Sequence, residues 1–230
     1  MGPLLEAYVH LIDNGCRLKG RFIDGFLVDE GQTRTPEEFD FEVRSFCVLF
    51  HASLEGYIEG VAHHVYKDAV EKSKRHEVSK ALLALLMYTK ELSFDIDDNA
   101  EFEHFYIRLN KLLRDEGDQY IAKLLKGNHG VGKKYLKNIL MRLGIDIHDS
   151  WAEFDALNKL VSARGEFAHW NINYAQGKKK TKPVTPESAE EYFIDCLKLS
   201  EKILLSSLKV TVDKEEALRV LMLLLKIKGQ

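Results

Sequence analysis

Three features of the sequence predict an all-α fold. Apolar residues recur at the helical period of about 3.6 through most of the chain. Strand-like alternation of apolar and polar residues is scarce. The four prolines, Pro3, Pro36, Pro183 and Pro186, all stand at segment edges, where a helix tolerates the missing N–H. The 230 residues are read as one helical domain. Its core is expected over about 36–208, with a helix and loop before it (1–35) and a helix after it (209–230).

Taken in order, Leu4 to Leu18 reads as a first helix and Gly20 to Thr35, with Gly20, Gly25 and Gly31, as a loop. Thr35-Pro36-Glu37-Glu38 starts a long helix: a capping hydroxyl, a proline in the first turn, then two acids at the positive end of the dipole. That helix runs to about Lys74 on an apolar stripe of Val43, Cys47, Phe50, Leu54, Tyr57, Ile58, Val61 and Val65. Gly56 and Gly60, one turn apart, predict close approach of a neighbouring backbone. Further helices are expected over Glu77–Glu91, then Ala100–Arg114 and Gln119–Leu125 on either side of Gly117, then Lys133–Leu143, stopped at Gly144. Ser150 as cap and Glu153 as its box partner open the next helix, which contains Leu157 to Trp170. A basic polar loop follows, then a helix from Thr185-Pro186-Glu187 to about Leu208, and a last one from Asp213 to about Lys228.

Composition narrows the function. A net charge of −3 gives no global basic field, so a nucleic-acid partner must be met by a local patch. Cys16, Cys47 and Cys196 are far apart and form no CxxC pair, which argues against a disulfide framework or zinc site and for a reduced, cytoplasmic protein. No signal peptide is read at the N-terminus, and Glu6 stands where myristoylation calls for Ser or Thr. The longest apolar run, Val220 to Leu225, is too short to span a bilayer, so no membrane partner is expected.

Two motifs are decoys. Gly127 to Lys134, GNHGVGKK, follows the phosphate-binding loop pattern except that Lys134 replaces the hydroxyl residue that holds magnesium, and a helix rather than a strand precedes it. Glu55, Glu59 and His63 share one face of the long helix, but no second Glu-x-x-His pair completes a di-metal bundle. They read better as a polar stripe facing solvent or a partner helix. No metal and no cofactor is expected.

The candidate site lies in Leu157 to Trp170, LNKLVSARGEFAHW. Leu157, Leu160, Val161, Phe167 and Ala168 form its apolar face, with Phe167 read as core. Arg164 and His169 are five residues apart, about 140° of rotation and ~7.5 Å of rise on an ideal helix. They converge only where the helix ends near His169, or where a second copy completes the site, which favours a homodimer with the motifs at a two-fold axis. A guanidinium fork suits phosphate, and an imidazole moves protons near neutral pH. The pair therefore suits phosphodiester cleavage in RNA, which carries its own 2′-hydroxyl nucleophile. The competing structural reading ties Arg164 to Glu166 or another carboxylate and leaves His169 to the helix end. Lys178, Lys179, Lys180 and Lys182 just beyond offer phosphate contacts, and Trp170 and Tyr174 offer stacking surfaces.

Arg164-Gly-Glu-Phe-Ala-His169 resembles the R-x4-6-H motif of the HEPN superfamily. FCVLFHASLEGYIEGVAHHV (46–65), KYLKNILMRLGIDI (134–147) and TPESAEEYFIDCLKLSEK (185–202) resemble, in order, the helices around that motif in bacterial defence groups such as RiboL-PSP-HEPN. The similarity covers roughly 40–205. It implies an all-α HEPN-like bundle with additional helices, dimerising through the motif helices. It also implies a metal-independent endoribonuclease that leaves 2′,3′-cyclic phosphate on cellular RNA, tRNA included, as a toxin or antiviral effector with a defence-system or antitoxin partner. By position, Arg164 would contact the scissile phosphate and His169 would be the acid–base group. Active members often carry Asn, Asp or His after the arginine. Here Gly165 stands there, so Glu166 is a further candidate for the orienting role. Other members are inactive modules that bind RNA or protein, and that is the alternative.

Overall fold

In a computed structural model, residues 2–28, 34–88, 107, 109–126, 130–168 and 183–211 are described. All regular structure among them is helical. The elements are α1 (Pro3–Phe22), α2 (Pro36–Lys74), α3 (Lys80–Tyr88), a π-helical turn (Leu113–Gly117) leading into α4 (Asp118–Lys126), α5 (Lys133–Leu140), α6 (Glu153–Ala168) and α7 (Pro186–Thr211). Short 3-10 turns cover Asp24–Phe26 and Met141–Leu143. The acidic turn and the helix read before Ile107 lie outside the described residues, as does the C-terminal helix read from Asp213.

The 39 residues of α2 form the axis of the bundle. Its start is held by the Thr35 N–H, which donates to the Glu38 carboxylate at 2.9 Å. Its end is a Schellman closure: the N–H of Glu77 reaches the Lys72 carbonyl and that of His76 reaches the Ser73 carbonyl, both at 3.0 Å. This places His76 at φ 62, a left-handed conformation usually left to glycine.

Helices α1, α6 and α7 pack on α2, and α7 packs also on α1 and α6, with α3 and α5 completing the bundle. At the centre, the rings of Phe46 and Phe50 stack 5.5 Å apart, and Phe193 of α7 sets its edge against both. A Cβ at Gly15 of α1 would lie 2.6 Å from Phe193 and 3.1 Å from Phe50. The close approach expected at Gly56 and Gly60 is therefore found at Gly15, while those two glycines face open space. Helix α1 also continues through Gly20 to Phe22, beyond the loop boundary read from the glycines, because Leu4, Leu5, Tyr8 and Leu11 anchor it on the core. Gly117 does not break its helix either. It sits inside the π-helical turn, where the Tyr66 hydroxyl donates to the Leu113 carbonyl at 2.7 Å and occupies the space a Cβ would take.

The remaining starts and stops follow local chemistry. The Ser188 N–H donates to the Thr185 hydroxyl at 3.2 Å to open α7, and Gly144 at φ 72 ends the Met141–Leu143 turn. Cys47 and Cys196 are buried, which pushes both thiols up to about 12, whereas Cys16 is exposed. No described helix is long and apolar enough to cross a membrane.

Two of the positive-φ positions, Gly144 and His76, carry opposite predictions. Gly144→Ala forces a strained φ and sets a Cβ 3.1 Å from the Lys80 carbonyl, so it destabilises by more than about 1 kcal/mol. His76→Gly relieves the same kind of strain and stabilises, by up to about 1 kcal/mol. Urea denaturation of each variant reads the two signs.

Candidate functional site

Helix α6 is fixed at its start. Lys133 and Lys137 of α5 both reach the Asp149 carboxylate, at 2.8 and 2.5 Å, and hold it down to about 2. Lys202 of α7 clamps Glu153 at 2.6 and 2.7 Å and stacks over Trp151. Burial would raise the Glu153 carboxyl, but with Lys202 beside it the net shift is downward. The helix begins at Glu153 itself, so this carboxylate serves the bridge between helices rather than a box with Ser150. Leu157 and Leu160 bury fully against the core, and Ala163 nearly so. Phe167 is not core. It is half-buried and meets Phe41 of α2 edge-on at 6.4 Å, a ring that is 68% exposed.

Arg164, Gly165 and Glu166 follow on the last turns of α6, all half-buried. Among the described residues, a Cβ at Gly165 would meet nothing within 4 Å. Arg164 forms no hydrogen bond or ion pair with another described residue. Its charge acts on His51 of α2. His169, Trp170, Tyr174 and Lys178, Lys179, Lys180 and Lys182 lie outside the described residues.

His51 is the functional candidate that sequence reasoning missed. It is 2% exposed, and its Nε2 has no hydrogen-bond partner among the described residues. Burial lowers its pKa, Glu55 one turn on pulls it up, and Arg164 pushes it down, with a lowered value as the net result. The Glu55 carboxylate accepts the Gly130 N–H at 3.1 Å. Gly130, at φ 128, closes the loop over the imidazole: a Cβ there would lie 3.6 Å from Nε2.

The rest of the stripe turns the same way. Glu59 is raised by burial and by Glu55, against His63. Tyr135 of α5 has a buried hydroxyl without a partner among the described residues, and burial, then Glu59 and Glu55, raise its pKa. His51, Glu55 and Glu59 thus meet the 130–135 segment, while His63 is exposed to solvent. Among the described residues no three of His, Cys, Asp and Glu are placed to hold a metal ion. The glycine-rich segment follows helix α4, not a strand. A signal for His51 existed in the sequence, because His51, Glu55, Glu59 and His63 continue one four-residue spacing.

The model of the RiboL-PSP-HEPN family matches residues 26–205, which include the whole polar stripe, Arg164 and His169. No curated protein and no solved structure matches the chain.

The lowered His51 pKa has a sign. A histidine that protonates less readily when folded adds stability above its unfolded value near 6.5, and this is lost as pH falls below it. Urea midpoints should therefore fall between about pH 7.5 and 5.5, and His51→Gln should make that fall smaller.

Proposed function

We infer the function from a premise now established: this chain belongs to the RiboL-PSP-HEPN family. We propose that it is an endoribonuclease that needs no metal. The substrate's 2′-oxygen attacks the adjacent phosphorus, the bond to the 5′-oxygen breaks, and a 2′,3′-cyclic phosphate remains. One proton must leave the 2′-hydroxyl and one must reach the departing 5′-oxygen. His169 carries out proton transfer, and Arg164 binds the phosphate and stabilises its added charge. Glu166 helps orient the pair in place of the residue that Gly165 lacks.

The observation that carries this reading is the state of Arg164. It stands on the last turns of α6, five residues before His169, with no carboxylate bound to it among the described residues. An arginine whose role is structural is normally held by an acceptor. One kept for phosphate has its donors available.

Lys178, Lys179, Lys180 and Lys182 supply the salt-sensitive backbone contacts that a chain of net charge −3 cannot supply globally, and Trp170 stacks on a base. Two copies meet through their motif helices. The targets are cellular RNAs, tRNA among them, cut in the cytoplasm by a toxin or antiviral effector with a controlling partner protein. Gly165 favours a second reading, an inactive module that binds RNA or protein, because the motif lacks its usual polar residue there.

Total cellular RNA incubated with the protein in EDTA tests the proposal. Cleavage should yield 2′,3′-cyclic ends and fall about a hundredfold or more in Arg164→Ala and in His169→Ala. Cleavage that EDTA abolishes, or that survives both substitutions, would overturn it. RNA binding without cleavage would select the module.

A further inference from the structure

The ribonuclease reading leaves the lysines at the end of the GNHGVGKK segment, and those around them, without a role. From 119 to 145 the chain has no Asp or Glu, while Lys123, Lys126, Lys133, Lys134, Lys137 and Arg142 supply six positive charges. With a total of −3, the rest of the chain carries −9. Elsewhere Lys72, Lys74, Lys159 and Lys198 each pair with a carboxylate three or four residues away on the same helix. Lys123, Lys126 and Lys134 have no acidic residue at those positions, are exposed, and form no ion pair among the described residues. Lys133 and Lys137 share the one carboxylate of Asp149, and Arg142 bonds the neutral Tyr120 hydroxyl and Asn138 side chain.

These charges are contiguous. Residues three or four apart are neighbours on a helix, so Tyr120, Lys123 and Lys126 line one side of α4, and Lys134 and Asn138 one side of α5. Arg142 joins the two sides, donating to the Tyr120 hydroxyl and, at 3.1 Å, to the Asn138 carbonyl oxygen. From Lys134 the face continues through Lys137 and Asp149 to an aromatic edge. There the exposed His148 ring lies 5.6 Å from half-buried Trp151, which stacks on Phe154 at 6.1 Å. Lys133 stands over the Phe154 ring at 5.0 Å. Single-stranded RNA binds such combinations, because cations take its phosphates whatever the sequence and its bases stack on rings. An acidic protein would match the lysines but gives the aromatic edge no role.

We propose that the Lys123–Lys126–Lys134 face and the adjoining His148–Trp151 edge form a second RNA-binding surface: the lysines take backbone phosphates, and a base stacks on His148. Eleven residues of α6, ~16 Å of rise, separate Glu153 at this end from Arg164. The surface therefore engages nucleotides away from the scissile phosphate. It deepens the ribonuclease reading and rests on it for the choice of RNA as the polyanion.

Binding is measured with an unstructured 2′-O-methyl RNA oligonucleotide, which lacks the nucleophile and stays intact. Anisotropy is read between about 50 and 200 mM salt, above about pH 7.5, where an ordinary imidazole is neutral. The triple variant Lys123→Gln, Lys126→Gln, Lys134→Gln should bind roughly tenfold or more weakly, with a log–log salt slope reduced by about 2. Lys67→Gln, Lys74→Gln, Lys198→Gln removes the same charge elsewhere and should keep the wild-type slope. His148→Ala should lose roughly fivefold or more in affinity at an unchanged slope. An unchanged slope in the first triple variant would overturn the proposal, as would an equal loss in the second or wild-type affinity in His148→Ala. Lysine acetylation of the wild type, mapped with and without RNA, is a readout that needs no variant: RNA should protect Lys123, Lys126 and Lys134. Lysines left open by RNA but covered by polyglutamate would overturn it in favour of an acidic protein partner. Lysine-dependent binding by a wild type that leaves unmodified RNA uncut would keep the surface and remove the ribonuclease reading.

Discussion

The structure depends on a single helix having to satisfy two unlike surfaces. Residues four apart on a helix share a face, and adjacent residues point about 100° apart. On α2 this puts Phe46 and Phe50 against Phe193, and Phe50 against Gly15, while His51, next in sequence, turns toward Gly130. The aromatic packing fixes the rotation of α2 about its axis. That rotation then aims the whole series His51, Glu55, Glu59 and His63. A shift that unseated Phe50 from Phe193 would also swing His51 away from Gly130, so the aromatic core and the polar stripe are not independent.

Buried polar groups divide along the same line. On the core side, the Tyr57 hydroxyl donates to the Ser200 carbonyl at 2.8 Å and the Tyr66 hydroxyl to the Leu113 carbonyl. On the side of the stripe, His51 Nε2 and the Tyr135 hydroxyl have no partner among the described residues. An unpaired buried polar atom costs about 1–3 kcal/mol, and a helical bundle that pairs its hydroxyls elsewhere has the means to avoid that cost. Two such atoms stand by the stripe, with the Gly130 backbone set against His51 and bonded to Glu55.

Much of this was legible from local signals. Thr35-Pro36, Thr185-Pro186 and Gly144 mark real ends because caps, prolines and left-handed glycines act within a few residues of themselves. What depends on distant neighbours was not legible. Gly20 lies inside a helix because the apolar residues of α1 reach the core. Gly15, and not Gly56 or Gly60, meets a close neighbour because Phe193 arrives there from α7. Gly117 sits in a π-helical turn shaped by Tyr66. Arg164 stood out by motif, whereas His51 became visible only when the segment at Gly130 was found closed over it. Its residue type and spacing alone do not distinguish a solvated stripe from a covered one.

The geometry of α6 also bears on how Arg164 and His169 can act together. An ideal helix separates them by about 140°, and α6 is helical through Ala168, the residue before the histidine. Convergence must therefore come from the chain leaving the helix at its end, or from a second copy of the motif. Gly165 bears on the first route. Glycine inside a helix weakens it by roughly 0.5–1 kcal/mol relative to alanine, and no neighbouring atom within 4 Å would be displaced by a side chain there. Its effect is thus on the stiffness of the last turn rather than on space in the site. A softer last turn lowers the cost of the chain leaving the helix there.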